Sequence, residues 1–258
     1  MKAFLRKCGK INLNTRIRVD SKEVKVLEIK LKNIEKNYND LSVIKNFNIS
    51  FSSDKVHCIF GPSGSGKSTL LNIITKLENI NSGEIEGTEN KKFSYVFQED
   101  RLLPWLNVEE NIEFVLESSH GKNEAKEKAK ECIELVKLSK FAKNFPRELS
   151  GGMKQRVAIA RAIAYDGDIF VMDEPFKALE MELKKVLMDY IVEYCYNNNK
   201  LLIYTTHDAF EAVYMSDNLY VFDGPPLKLK KQINIELPFK ERRINISEVK
   251  KLMEILEK

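Results

Sequence analysis

Long apolar runs are missing from this chain of 258 residues. None approaches the roughly 18 to 20 residues that a membrane-spanning helix requires, and the first residues carry no apolar stretch of signal-peptide type. The expected protein is soluble and stays in the compartment where it is made. Cysteine is scarce: Cys8, Cys58, Cys132 and Cys195 lie too far apart for a CxxC metal pair or a small disulfide framework. They read as reduced thiols, in keeping with cytosol. Histidine is rarer still, with three, so a histidine with a chemical task should stand out by its position. Neither sign of charge dominates, since 42 Lys and Arg face 38 Asp and Glu. With 43% hydrophobic residues there is material for the core of one large domain or two small ones, and a disordered polyelectrolyte is excluded. Internal repeats and low-complexity linkers are also missing.

The small basic excess is unevenly placed. Residues 1–27 hold eight basic and two acidic side chains, a net of +6, which leaves the rest of the chain at −2. The core is close to neutral, so no nucleic acid is expected as a partner. Residues 1–26 are expected to form a basic, flexible extension, with a tail that leans on anionic lipid as the alternative.

What the chain does have is alternation. Short apolar runs rich in β-branched and aromatic residues (Val56 to Phe60, Phe93 to Phe97, Ile169 to Met172, Leu201 to Thr206) are separated by segments of helical period. This is the pattern of an α/β protein with a mainly parallel sheet and flanking helices. Leu70, Leu71, Ile74 and Leu77 share one helical face, as do Leu183, Val186, Leu187, Tyr190, Ile191 and Tyr194. Leu27, Ile29 and Leu31 alternate with polar residues, and Val43 to Phe51 follows, so an antiparallel β subdomain is expected ahead of the first run. Residues from about 99 to 165 show no strand and carry a narrow stripe of Ala125, Ala129, Ile133 and Val136, the mark of an inserted helical subdomain. Asn245, with Glu248 three residues on and an apolar stripe behind it, predicts a capped amphipathic helix within 241–258.

The chemistry sits where these runs end. Gly61, Pro62, Ser63, Gly64, Ser65, Gly66, Lys67 and Ser68 match G-x-x-x-x-G-K-[ST] between a strand and a helix, with Thr69 next. Its glycines let backbone N–H groups turn inward onto phosphate oxygens, and the helix start adds partial positive charge. Lys67 offers a cation to the β/γ-phosphates and Ser68 a hydroxyl to Mg²⁺. Asp173 and Glu174 end the third run. They are either a solvated acidic turn or, by the rule that α/β sheets bind ligands at the carboxyl ends of strands, a metal ligand and a base. Gln98 and His207 end two further runs. A histidine there is commonly a satisfied core or surface residue, but four strand ends carrying P-loop, Gln, Asp-Glu and His would ring one phosphate. Leu149, Ser150, Gly151, Gly152 and Met153 open another helix, either as an ordinary Ser-Gly start or as a second anion site.

In chain order, the Gly61 to Ser68 loop, Gln98, the segment LSGGMKQR starting at Leu149, Met172-Asp-Glu-Pro175 and His207 closely resemble the nucleotide-binding subunit of ATP-binding cassette (ABC) transporters. The similarity runs from about Leu27 to Pro238, with the family's domain expected over 27–240. The resemblance implies a P-loop NTPase core and a homodimer that sandwiches two MgATP, with Leu149 to Met153 as a signature acting in trans, whose Ser150, Gly151 and Gly152 would touch the γ-phosphate held by Lys67 of the other chain. It implies adenine stacking on Tyr38, 23 positions before Gly61, and a link through Gln98 between Mg²⁺, the attacking water and a membrane subunit. It also implies Glu174 as general base, His207 as γ-phosphate sensor and Asp173 on Mg²⁺. Around Val96 to Leu106 the chain looks like the importers for nitrate, sulfonates and taurine, whose ATPase subunits sit peripherally at the cytoplasmic face of the membrane. Such systems also use transmembrane permease subunits and an extracytoplasmic substrate-binding protein.

Two departures stand out. After Phe176 the family reads Gly or Ser, Ala, Leu, Asp, whereas this chain has Lys177-Ala-Leu-Glu180, so coupling across the dimer through Glu180 is expected to be altered. Relatives of this type also begin near Leu27. A soluble ABC-type ATPase without a membrane partner is the rival reading. A small-molecule kinase on a P-loop scaffold would leave the LSGG segment and His207 without roles.

Overall fold

Strand β3, Val56–Phe60, lies inside a six-stranded sheet of a computed structural model that describes residues 26–117 and 121–256. The expected extension over residues 1–26 lies outside the described residues except for Val26, as does Cys8. Strand order in this sheet is β5-β6-β7-β3-β8-β9, with β5 at Phe93–Val96, β6 at Ile169–Asp173, β7 at Leu201–Thr206, β8 at Asn218–Asp223 and β9 at Lys228–Asn234. Its first five strands are parallel and β9 returns antiparallel. The register sets Val96 opposite Met172, Asp173 opposite Thr205 and Thr206 opposite Phe60, so four strands end at one level. That alignment brings residues far apart in sequence to one edge.

The central strands are apolar throughout because both faces are covered. Cys58, Phe170, Met172, Leu202 and Tyr204 point into one buried cluster, and Ile59, Ile169, Val171, Leu201 and Ile203 into the other. The second cluster is closed by a three-stranded antiparallel sheet of β1 at Glu28–Tyr38, β2 at Leu41–Ser52 and β4 at Ser82–Glu86, in the order β2-β1-β4. Helix α1, Lys67–Ile74, joins it through Leu70, Leu71, Ile73 and Ile74.

Helices α2 (Val108–Leu116), α3 (Lys122–Leu135) and α4 (Gly151–Tyr165) pack on one another as the helical insertion. Asn107 starts α2 with a capping box to Glu110. Ala125, Ala129 and Ile133 of α3 and Val136 just beyond it are all buried. Helix α5, Met181–Asn197, and α6, Ala209–Met215, cover the same face of the large sheet. At the end of the described chain, α7 (Phe239–Ile244) and α8 (Ile246–Leu256) pack against α6. Asn245 Oδ1 accepts the Glu248 N–H at 3.4 Å, the expected cap. Arg242 of α7 is fully buried, donating to Ser216 O, to Val213 O at 3.1 Å and to Asp217 Oδ1 at 2.9 Å.

Leu77 departs from expectation. The helix ends at Ile74, where the Thr75 hydroxyl donates to Leu71 O and Lys76 takes φ +59°, and Leu77 is left 58% exposed. Among the described residues, no helix is long and apolar enough to cross a membrane.

Candidate nucleotide site

The P-loop curls at the end of β3. Gly66 takes φ +103°, a left-handed conformation that favours glycine, and α1 begins at the next residue. Gly61 is closed in, because a Cβ there would stand 2.5 Å from the backbone oxygen of Phe222. Lys67 is buried and folds back, its Nζ donating to Gly61 O at 2.8 Å and Pro62 O at 2.7 Å. Burial lowers its pKa, while Glu174 and Asp173 pull the other way. Ser63, Gly64, Gly66, Lys67, Ser68, Thr69, Gln98, Asp173 and Glu174 line one cleft together with Val43. Ser65 is buried beneath it with a hydroxyl that has no hydrogen-bond partner.

Asp173 and Glu174 are placed by β7. The Thr205 hydroxyl donates to Asp173 Oδ1 at 2.5 Å, and the Glu174 N–H reaches Thr205 O at 3.2 Å and Thr205 Oγ1 at 3.1 Å. Glu174 itself has φ +46°, an uncommon conformation for a non-glycine residue. Its side chain is only 6% exposed. His207 Nδ1 stands 3.2 Å from Glu174 Oε1, and Lys177 Nζ lies 3.4 Å from Oε2, which forms no hydrogen bond. His207 lies outside the P-loop cleft, in an adjoining one that shares Glu174.

Behind Gln98 the chain is held from both sides. Arg101 lies over the Phe97 ring at 4.0 Å, and Arg161 of α4 donates to Arg101 O at 2.9 Å and Asp100 O at 3.2 Å. The helix that carries Arg161 begins at Ser150, whose hydroxyl accepts the Met153 N–H at 3.3 Å. Leu149 is buried, whereas Ser150 and Gly151 are exposed and do not line this chain's cleft. A Cβ on Gly152 would meet Ala178 O at 2.5 Å, so α4 starts directly against the turn that follows Glu174. Glu180 precedes α5 in an extended conformation without a side-chain cap. Tyr38 is 41% exposed and does not line the P-loop cleft.

The profile of the ABC transporter family matches residues 44–177 of this chain. It is 39% identical over 214 residues to the aliphatic sulfonates import ATP-binding protein SsuB of Bacillus cereus, covering 81% of this chain and 84% of that one. The chain belongs to the ABC transporter family. The nitrate import ATP-binding protein NrtD of Synechocystis is 36% identical over 202 residues, 76% of each chain. Among solved structures, a dimeric ATP-binding cassette in a post-hydrolysis state, bound to ADP and Pi, superposes with TM-score 0.74 at 30% identity, covering 81% of this chain and 99% of that one. The two-sheet α/β fold with its helical insertion is that of an ABC cassette, and the protein is an ABC-type ATPase that serves transport.

The cassette's own atoms suit MgATP. A buried ammonium resting on carbonyls at the cleft is a waiting donor for phosphate oxygens. Among the described residues no cluster of three or more His, Cys, Asp or Glu could hold a metal alone. Ser68, Gln98 and Asp173 supply a few oxygens at one cleft, which fits a Mg²⁺ that arrives with phosphates.

Three side chains of the ABC cassette were not visible to sequence reasoning. Lys184 of α5 is buried between Glu211 Oε1 at 2.6 Å and Asp208 Oδ2 at 3.2 Å, and Thr206 donates to Glu211 Oε2 at 2.6 Å. Burial alone would lower the Lys184 pKa, but Glu211 and Asp208 hold it above its usual value. Lys184, Glu211 and Thr206 thereby fix the backbone on both sides of His207. Only the buried setting distinguishes Lys184 and Glu211 from surface charges.

Proposed function

We propose that this chain is the ATP-hydrolysing subunit of an importer for a small anionic nutrient of the sulfonate, nitrate or taurine type. Residues 27–240 form the working cassette, with a helical subdomain over about 99–165 and a helical tail over 241–258. Two copies close over two MgATP. Transport runs through separate permease subunits fed by an extracytoplasmic binding protein, with the cassette docked peripherally at the cytoplasmic face of the membrane. What carries this reading is the convergence of the Lys67 ammonium, the Ser68 hydroxyl and the Asp173 and Glu174 carboxylates on one cleft, in a chain similar to the sulfonate and nitrate import proteins.

Each side chain then has a task. Lys67 and the N–H groups of Gly64, Ser65, Gly66, Ser68 and Thr69 hold the β- and γ-phosphates, while Tyr38 stacks on adenine. Ser68, Asp173 and Gln98 hold Mg²⁺, which neutralises phosphate charge. Glu174 takes a proton from water as that oxygen bonds to the γ-phosphorus and the bond to the β–γ bridging oxygen breaks, leaving ADP and phosphate. His207, set against Glu174 at 3.2 Å, donates to the γ-phosphate. Ser150, Gly151 and Gly152 complete the partner's site, and Glu180 couples the two.

Reconstitution tests the assignment. The purified chain should co-purify with a multi-span membrane protein, and ATP hydrolysis by that complex should rise when a binding protein loaded with sulfonate or nitrate is added. A chain that hydrolyses ATP at full rate alone and retains no membrane protein would instead be a free-standing ABC ATPase.

A further inference from the structure

The end of β1 is stitched to the loop that leaves α1. Asn81 N–H donates to Glu35 O at 2.9 Å, and Asn81 Oδ1 accepts the Asn37 N–H at 2.8 Å. Between these ties Lys36 is 8% exposed, and its ammonium donates to Glu78 Oε1 at 2.6 Å and Asn79 O at 2.8 Å. A lysine this buried is stable only with such partners, so its position is fixed. The same ammonium stands 4.7 Å from the centroid of the Tyr38 ring, over its face. Glu78 thus fixes the ammonium, and the ammonium covers one face of a ring that is otherwise 41% exposed. Without this hold, an aromatic side chain at the end of a strand would be free to change rotamer.

We infer that Lys36 and Glu78 are positioning residues for the nucleotide base, locking the Tyr38 ring so that its open face is set for stacking beside the P-loop helix. The inference rests on the reading of Tyr38 as the adenine platform. A ring fixed beforehand need not be ordered when the base arrives, and this contribution is the same in the ground and transition states. The effect therefore belongs to ATP affinity and leaves the chemical step alone.

Calorimetric binding of ATP and of base-free inorganic triphosphate to the full chain, with turnover at saturating ATP, provides the test. Tyr38→Ala should weaken ATP about fivefold or more, the worth of one base stacked on an aromatic ring. Lys36→Met should weaken ATP about two- to fivefold while triphosphate affinity and saturated turnover hold. Lys36→Arg should recover most of the loss, and Glu78→Gln should repeat it in a side chain less buried than Lys36. The double variant Lys36→Met/Tyr38→Ala should bind ATP no more weakly than Tyr38→Ala alone. Additive losses, equal losses for ATP and triphosphate, or unchanged ATP affinity in both Lys36→Met and Glu78→Gln would overturn the inference and leave Tyr38 as the platform. Wild-type ATP affinity in Tyr38→Ala would remove the platform and the inference with it.

Discussion

Glu174→Gln is the sharpest probe of the proposed chemistry. The amide keeps the size of the side chain, and the backbone at φ +46° keeps both bonds from its N–H to Thr205. What is lost is a proton acceptor. A positioned general base contributes about 10²- to 10⁴-fold, which at 1.36 kcal/mol per tenfold is about 3 to 5 kcal/mol of barrier. The surroundings of Glu174 favour the upper half of that range. Its side chain is 6% exposed, so bulk water cannot easily act in its place, and Oε2 has no hydrogen bond competing for the incoming proton. His207 sits at Oε1, the other oxygen, 3.2 Å away. Turnover in Glu174→Gln should therefore fall by about 10³-fold or more. ATP binding should hold or tighten, because the Lys67 and Ser68 contacts remain while a negative charge near the phosphates is removed, and the ATP-bound dimer should persist. Phosphate release at saturating MgATP, with calorimetric ATP binding and gel filtration on the same sample, measures all three. Normal ATP affinity with turnover within about tenfold of wild type would refute Glu174 as the base.

Other perturbations address separate links. Ser150→Arg replaces an exposed helix cap and loses its bond to the Met153 N–H, a cost of about 1 kcal/mol; it should spare ATP binding by one chain and abolish ATP-dependent dimerisation and hydrolysis, and unchanged ATPase activity would end the sandwich reading. His57 is buried, and burial pushes its pKa below the ordinary value. The stabilisation from keeping it neutral is complete above about pH 6.5 and is lost as pH falls through the folded-state value; His57→Gln should flatten the fall in melting temperature between about pH 7 and pH 5, and parallel pH curves for the two proteins would exclude it. Arg242→Met removes a buried cation from Asp217, Val213 O and Ser216 O. The cost is about 3 to 5 kcal/mol, or a melting temperature lower by about 6 to 20 °C; a shift below about 2 °C would show the pair to be dispensable.

Sequence and structure agree best where burial is complete. The strands Val56–Phe60, Ile169–Asp173 and Leu201–Thr206 are covered on both faces, so each shows as a continuous apolar run between polar segments. Their shared edge followed from the parallel α/β pattern, and Gln98, Asp173 and Glu174 do share the P-loop cleft, with His207 against Glu174. The strand Ser82–Glu86 was illegible because it is an edge strand with four of its five residues exposed, so no alternation marks it. Lysines cover the exposed antiparallel edge at Lys228–Asn234 for a related reason, since charge there discourages pairing with another chain. Lys36, Lys184, Glu211 and Arg242 each look like solvated surface charge in the sequence. They are buried only because charged partners between 24 and 42 positions away meet them in the fold, a coincidence that local period cannot reveal.

The close seat of Gly152 against Ala178 O is joined by a second tie, in which Gln155 Nε2 donates to Pro175 O at 2.9 Å. The surface that one copy would offer to another and the carboxylate that would activate its own water are thus built on a joint with no slack. In a two-copy sandwich, a displacement at one triphosphate cannot be absorbed inside a copy before it reaches the opposite site. Any lag between the first and second hydrolysis would have to arise in the layer between the copies, where Glu180 would stand. The tempo of the motor would be written on that surface, and exchanging Glu180 would retune it.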